Sequence, residues 1–144
     1  MQPLPALVAP AAFEGIFASA EVAAAIARGL RAAGQPAVEL PLPDGGREVL
    51  DAIGFDAAMR AARYVVTGEG RIDEATLDGN VVGEIATRCR QAGVGCHVVV
   101  GDETLDLFGE RVLDIGSVRE ATTLDELESA GRDLVELVGG PAGA

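Results

Sequence analysis

The sequence predicts a three-layer α/β/α sandwich built on a mostly parallel sheet of five strands. Short apolar runs rich in valine and leucine alternate with longer helical patterns along the 144 residues, which is typical of βαβ units. These runs are apolar at successive positions, as expected for strands that are covered on both faces. A glycine, proline or aspartate follows each run and marks the end of each strand.

The predicted elements follow one another with short connections. The predicted strands cover residues 4–10, 37–42, 63–67, 96–100 and 111–115. The predicted helices cover residues 19–33, 47–53, 55–62, 81–92 and 123–138, with one further helical turn at 104–108. Ser19 and Gly34 provide start and stop signals for the first long helix. Thr123 and Glu126 form a capping-box pattern at the start of the last helix.

The composition is that of a single globular domain with an aliphatic core. Hydrophobic residues make up 49% of the chain and charged residues 24%, whereas aromatic residues contribute only 3%. A chain of 144 residues is long enough to bury a core of its own. We therefore expect alanine, valine, leucine and isoleucine to fill the interior.

The charge balance restricts the partners of the protein. The formal net charge is −12, and all the basic residues are arginines. Such a surface repels phosphate backbones and anionic lipids, so we expect neither nucleic-acid nor membrane partners. Because the chain has no lysine, it contains neither a P-loop lysine nor a Schiff-base lysine. Arginine can still bind phosphate, so phosphate ligands are not excluded.

The cysteines and the N-terminal residues predict a cytoplasmic protein. Cys89 and Cys96 have neither the number nor the spacing of a disulfide framework or a metal site, so we expect two free core thiols. The N-terminal residues carry no basic region, and their apolar run is short and interrupted by proline. This pattern argues against a signal peptide or a membrane-spanning helix there.

The strongest candidate site lies between residues 64 and 73. A β-branched run leads into Gly68-Glu69-Gly70-Arg71, and Asp73 follows. This pattern predicts a strand that leads through a glycine turn into a helix, which should start near residues 76–79. Backbone N–H groups in such a turn bind anions, and carboxylates such as Glu69 and Asp73 bind magnesium. The alternative interpretation is a structural turn in which Arg71 pairs with a neighbouring acid.

Further polar residues follow other predicted strands, whose carboxyl ends should share one edge of the sheet. The Asp44-Gly45-Gly46 turn either supplies a metal ligand or caps the next helix. We interpret Asp102 as a turn residue with an alternative role in ligand binding, and Glu14 as a solvated loop residue. His97 has no nucleophile or acid at a catalytic spacing, so we expect a packing or edge role for it.

The stretch from Thr67 to Leu77 resembles the T-G-E-G-R-I-D-x-x-T-L signature of bacterial glycerate kinases of the glycerate 2-kinase type. The segments around it are similar to the same family, so the resemblance covers nearly the whole chain. It implies a Rossmann-like domain that uses ATP and magnesium to phosphorylate glycerate. It also implies catalytic roles for Arg71 and Asp73 and metal binding by Glu69 and Asp73. The implied cofactor-binding residues are Thr67, Gly68, Glu69, Gly70, Asp44, Gly45 and Gly46.

Two departures from the family pattern imply that this activity is weakened or lost. The family carries a large second domain between the parts that resemble residues 1–54 and 55–144, whereas here Phe55 follows Gly54 directly. Two lysines of the family pattern are also replaced. The first, in the loop A-P-D-S-F-K-G, is Glu14, and the second, in the G-K that follows the signature, is Asn80. Phosphoryl transfer depends on neutralising developing charge, so both losses should slow it.

Other interpretations remain beside a weakened kinase. The chain is alternatively a non-catalytic protein that binds a nucleotide or a small acid, or an oligomeric interaction protein. A further alternative is that a separate chain supplies the second domain. Apart from such a chain, the expected partners are a small-molecule ligand and a second copy of this chain. The second copy is expected to bind through the face that the second domain would cover.

Overall fold

The protein is described by a computed structural model that covers residues 3–72, 81–103 and 115–140. The strands are β1 (Ala6–Val8), β2 (Ala37–Glu39), β3 (Tyr64–Ile72), β4 (Gly95–Glu103) and β5 (Ser117–Glu120). The helices are α1 (Ser19–Ala32), α2 (Val49–Ala52), α3 (Phe55–Arg60), α4 (Val81–Ala92) and α5 (Leu124–Leu137). Within these ranges no helix has the length and apolar character needed to cross a bilayer.

The five strands form one parallel sheet in the order β2-β1-β3-β4-β5. The longest pairing joins β3 to β4, from Tyr64 opposite Gly95 to Ile72 opposite Glu103. The strand order reverses between β1 and β3, which opens a crevice beyond their carboxyl ends. The predicted three-layer α/β fold is therefore confirmed.

Two apolar cores cover the two faces of the sheet. One core packs α1 and α5 against alternate strand residues such as Val8 and Val66. The other packs α2, α3 and α4 against the intervening residues, such as Leu7 and Val65. Because successive strand residues enter opposite cores, the strands are apolar at every position. The predicted aliphatic interior is confirmed, with a few aromatic side chains such as Phe55 added to it.

α1 and α5 cross in close contact through two glycines. A Cβ atom on Gly29 would overlap the backbone oxygen of Glu128, and one on Gly131 would overlap the backbone oxygen of Ile26. Both obstacles are backbone atoms, which no side-chain rotation removes. The two helices therefore approach as closely as they do only because neither crossing residue carries a side chain.

A single arginine of α4 joins the two short helices on the other face. The Arg88 side chain is only 16% exposed and forms ion pairs with Asp51 of α2, Asp56 of α3 and Glu84 of α4 at 2.9, 3.0 and 2.9 Å. Burial alone lowers the pKa of its guanidinium, but the hydrogen bonds to the three carboxylates outweigh burial and raise that pKa. Asp51 and Asp56 lie on opposite sides of Gly54, so Arg88 holds this turn closed.

The predicted glycine turn after β3 is wrong. β3 continues as a strand from Tyr64 to Ile72, through both signature glycines. Close packing requires glycine at position 68, since a Cβ on Gly68 would lie 2.6 Å from the backbone oxygen of Val99. A Cβ on Gly70 would make only ordinary contact, 3.5 Å from the Cα of Phe13. Gly68 and Gly70, which were predicted to form a turn, are therefore strand residues against which other backbone segments pack.

The last strand of the described sheet was not predicted. It covers Ser117–Glu120 and pairs with His97–Val100 of β4, whereas the strand predicted at 111–115 lies, except for residue 115, outside the described residues. β5 is an edge strand with polar residues, so its apolar signal is weak. The predicted helical turn at 104–108 and the helix start at 76–79 lie outside the described residues.

The predicted capping pattern of α5 is confirmed with a shift of one residue. The Thr123 hydroxyl accepts a hydrogen bond from the Glu126 backbone N–H at 3.1 Å. The Glu126 carboxylate accepts in return from the backbone N–H of Thr122, at 2.8 Å, rather than from that of Thr123. This bond lowers the pKa of Glu126.

His97 and the two cysteines have the packing roles expected of them. Cys89 and Cys96 are buried free thiols. The His97 Nδ1 lies 2.7 Å from the Ser117 hydroxyl, which joins β4 to β5. Its ring packs edge-on against Tyr64, with ring centroids 5.6 Å apart.

Lowering the pH is expected to destabilise the protein through His97. Burial lowers the pKa of its imidazole below the ordinary 6.5, so the unfolded state takes up a proton more readily than the folded state. The contribution of His97 to stability is complete above the ordinary pKa and is lost as the pH falls toward the folded-state pKa. The melting temperature of the wild type should therefore fall more between about pH 7 and pH 5.5 than that of His97→Gln. Parallel pH profiles would contradict this assignment.

Candidate functional site

A cleft of about 600 Å³ opens at the carboxyl ends of the strands, where the strand order reverses between β1 and β3. The loops after β1 and β2, the end of β3, the start of α4 and the end of β4 form its walls. The lining residues are Ala11, Ala12, Glu14, Ile16, Pro43, Asp44, Gly45, Gly46, Glu69, Gly70, Arg71, Val81 and Asp102.

The loop after β1 is held in place by backbone hydrogen bonds and one buried ring. The Ala11 N–H donates to the Gly68 oxygen at 2.8 Å, and Phe13 and Phe17 exchange backbone hydrogen bonds of 2.9 Å. The Phe13 side chain is buried in the core that α1 and α5 share. This anchor lets the loop lie against Gly70 and brings the exposed Glu14 to the cleft.

The loop after β2 brings Asp44 to the same cleft. The Leu42 N–H donates to the Pro10 oxygen at 2.9 Å, which fixes this loop beside the first. Gly45 has φ +137°, a conformation that other residues rarely adopt. The Glu48 carboxylate accepts from the Gly46 N–H at 3.2 Å. Bonds from its own N–H and from that of Gly46 lower the pKa of Glu48. Asp44 does not cap a helix, because α2 begins only at Val49.

Arg71 and Asp102 face each other across neighbouring strand ends. Their closest nitrogen and oxygen atoms, Nη1 and Oδ2, are 3.8 Å apart, and both side chains are 59% exposed. Such a pair contributes little to stability, so its members can rearrange around a ligand at small cost. The expected pairing of Arg71 with a neighbouring acid is present, although along a strand edge rather than within a turn.

The cleft is strongly acidic. Among the described residues, its lining contains four carboxylates, on Glu14, Asp44, Glu69 and Asp102, against the single guanidinium of Arg71. Each of these exposed charges interacts weakly by itself, but together they give the cleft a negative potential. A bare polyphosphate would therefore be repelled, whereas a cation or a metal-complexed anion would be accommodated.

The structure brings six of the predicted site residues together in this cleft. They are Asp44, Gly45, Gly46, Glu69, Gly70 and Arg71. Thr67 and Gly68 do not line it, since the buried Thr67 hydroxyl donates to the Ala9 oxygen at 2.7 Å and Gly68 packs on β4. Asp73 lies outside the described residues.

Two further acidic residues line the cleft. Asp102 lies at this edge, as the rule that parallel strands end together predicted, but it is the last residue but one of a strand rather than a turn residue. Glu14 is exposed, as predicted, but it stands at the cleft wall, and nothing in the sequence indicates that position.

The donor atoms of the cleft suit magnesium in type but not in number. Carboxylate oxygens are hard ligands of the kind that Mg²⁺ prefers. However, the described part of the chain holds no group of three or more His, Cys, Asp or Glu side chains arranged to hold a metal ion. Magnesium commonly binds through one or two carboxylates together with the oxygens of a phosphate ligand. The cleft fits magnesium in that way rather than as a site formed by protein ligands alone.

Comparison with known proteins identifies the family. The model of the glycerate kinase family matches residues 47–136, which is more than half of the chain. The chain belongs to the glycerate kinase family. The match includes the end of β3 and the carboxyl end of β4, which form one wall of the cleft.

The relatives of this glycerate kinase family domain are much longer. A glycerate kinase of Halalkalibacterium halodurans is 30% identical over 103 residues, which cover 69% of this chain and 27% of the relative. An uncharacterized protein of Mycobacterium bovis is 38% identical over 88 residues, which cover 61% of this chain and 23% of the relative. The chain therefore spans about a quarter of the length of these relatives.

A crystal structure also resembles this family domain. The putative glycerate kinase 2 of Salmonella typhimurium aligns with a TM-score of 0.48 and 19% identity, over 69% of this chain and 27% of that one.

Proposed function

We propose that this glycerate kinase family domain is a cytoplasmic protein that binds a magnesium-complexed nucleotide in its cleft. We further propose that it phosphorylates glycerate weakly or not at all by itself. The observation that carries the proposal is the convergence of six signature and turn residues on one cleft, where the described lining holds four carboxylates and one arginine.

The charges that line the cleft favour binding of a magnesium-complexed nucleotide but not transfer of its phosphoryl group. Phosphoryl transfer is accelerated by fixed positive charge placed where negative charge develops on the transferred group. The described lining offers one guanidinium, and that group already faces Asp102. Glu14 adds a negative charge at the same wall. A metal-complexed phosphate can bind such a site, but its transition state gains little stabilisation.

Magnesium would be held jointly by the protein and its ligand. Glu69 lines the cleft, and Asp73 follows it in the sequence by four positions, so we assign both as the protein ligands. The metal would supply the charge neutralisation that the lining lacks. Arg71 would contact a phosphate oxygen, and the N–H of Gly70 would approach the same group.

ATP with magnesium is expected to raise the melting temperature, and Arg71→Ala is expected to remove about half of that rise. A ligand at a hundred times its dissociation constant stabilises the native state by about 2.7 kcal/mol. Removing a charge-assisted contact to phosphate should weaken binding about tenfold. The measurement is a thermal-shift titration with ATP, with ATP and magnesium, and with D-glycerate.

Arg28→Ala is the matched control for this titration. Arg28 resembles Arg71 in exposure and also pairs with a carboxylate, that of Glu128 at 3.1 Å, but it lies on α1 away from the cleft. The control should respond to the ligand as the wild type does. A flat response of the wild type to all three additions would refute the proposed nucleotide site. An equal loss in both arginine variants would show that the response does not come from the cleft.

A further inference from the structure

The two edges of the sheet differ in how they are protected. At the β2 edge, Arg31 of α1 donates to the backbone oxygen of Ala37 at 3.0 Å and to the Glu39 carboxylate at 2.9 Å. β2 has only three residues. A short strand covered by a charged side chain resists pairing with another strand.

The β5 edge lacks such protection. Ser117–Glu120 ends the sheet, and in the described part of the chain its backbone has no hydrogen-bond partner other than β4. The bond between His97 and Ser117 holds the first residue of β5 in place. An edge strand of this kind presents a row of backbone N–H and C=O groups that can pair with another strand.

An apolar groove of about 190 Å³ lies beside β5, between this strand and α5. Ala130, Leu134 and Leu137 form its apolar part, whereas Val118 borders the groove but packs against the core on the opposite face of the sheet. Leu137 is 64% exposed, which makes it one of the most exposed large apolar side chains in the described residues. Exposed apolar surface next to a pairing-competent strand edge is typical of an interaction site.

The charged groups of this groove balance each other. Arg119 and Asp133 are the only charged residues in the part of its lining that the structure describes, and they form an ion pair of 2.7 Å. The chain as a whole carries a net charge of −12, so most of its surface repels a second copy. The neutral groove is a place where two copies can approach.

We propose that two copies of this chain associate through β5, which pairs antiparallel with its counterpart across a two-fold axis. Leu137 of each copy would cover the apolar part of the junction. A two-fold interface requires a surface that is complementary to itself. A strand edge meets this requirement because it presents both backbone N–H donors and backbone C=O acceptors. Arg119 of one copy would face Asp133 of the other, so the charges are complementary as well. This inference is independent of the proposed nucleotide site.

The interface is tested by light scattering over a concentration series, from micromolar to millimolar chain. The mass should rise from the 14.7 kDa of one chain toward twice that value. Added salt should strengthen association, since it screens the repulsion between two acidic chains. Leu137→Glu should weaken association at least about tenfold. Val38→Glu, at a 47% exposed position on the protected β2 edge, should leave it unchanged.

Amide hydrogen exchange locates the interface independently of these variants. The backbone N–H groups of Ser117–Glu120 should gain protection as the concentration of the wild type rises, while those of Ala37–Glu39 should not. A single-chain mass at every concentration would overturn the proposal. A dimer that Leu137→Glu leaves intact, or one that adds no protection to β5, would also overturn it.

Discussion

Gly131→Ala is expected to lower the free energy of unfolding by about 3 kcal/mol and the melting temperature by roughly 10 °C. The added methyl group would overlap the backbone oxygen of Ile26 and approach the backbone nitrogen of Leu30. α1 and α5 would have to move apart, which loosens the apolar core between them. Alanine has a higher helix propensity than glycine, by about 1 kcal/mol. A net loss of stability would therefore show that the steric clash between α1 and α5 costs more than the gain in helix propensity.

The matched control for this substitution is Arg132→Ala. It introduces the same residue one position further along α5. The side chain there is exposed and, among the described residues, pairs with Glu128 of the same helix. We expect its effect to stay within about 0.5 kcal/mol. Thermal and urea unfolding of the two variants give the comparison. Equal stabilities would contradict the close crossing of α1 and α5.

Arg88→Ala is expected to cost about 3 kcal/mol. The substitution leaves three carboxylates, on Asp51, Asp56 and Glu84, close together without their common cation. Of these, Glu84 and Asp56 should matter most, because Asp51 is 77% exposed and well solvated. The substitution also releases the turn at Gly54, so the loss should appear as early exchange of amide hydrogens in α2 and α3.

Two further variants separate the ion-pair cluster from a general effect of charge. Arg88→Lys keeps the charge but cannot bridge three carboxylates with a planar fork, so it should recover only part of the stability. Arg90→Ala removes an exposed arginine from the same helix and should change stability by less than about 0.5 kcal/mol. If Arg88→Ala unfolds no more readily than Arg90→Ala, the cluster does not hold the turn.

The helices and strands that bury an apolar face could be predicted from the sequence. α4 has the predicted bounds because its apolar periodicity and the glycine after it are both local signals. β5 was missed because an edge strand needs little apolar character. The turn predicted at Gly68 and Gly70 failed for a different reason. Glycine indicates either a turn or a close approach, and the approaching groups, on Phe13 and Val99, are distant in the sequence.

The candidate site was predictable in outline. The signature residues Glu69 and Arg71 meet the Asp44 turn because parallel strands end at one edge of the sheet. The acidity of the cleft was harder to foresee, since Glu14 reaches it only through the anchoring of its loop by Phe13. Thr67 belongs to the same signature, but its hydroxyl donates a hydrogen bond to the Ala9 backbone oxygen, which joins β3 to the residue after β1.

Nucleotide binding and phosphoryl transfer to glycerate can be measured in the same sample. Calorimetry with ATP and magnesium should give saturable heat at one site, weakened about tenfold in Arg71→Ala. After D-glycerate is added, phosphoglycerate should form no faster than it does with that variant. Phosphoglycerate formation well above the Arg71→Ala rate would contradict the loss of efficient catalysis. The absence of binding heat would contradict the nucleotide site.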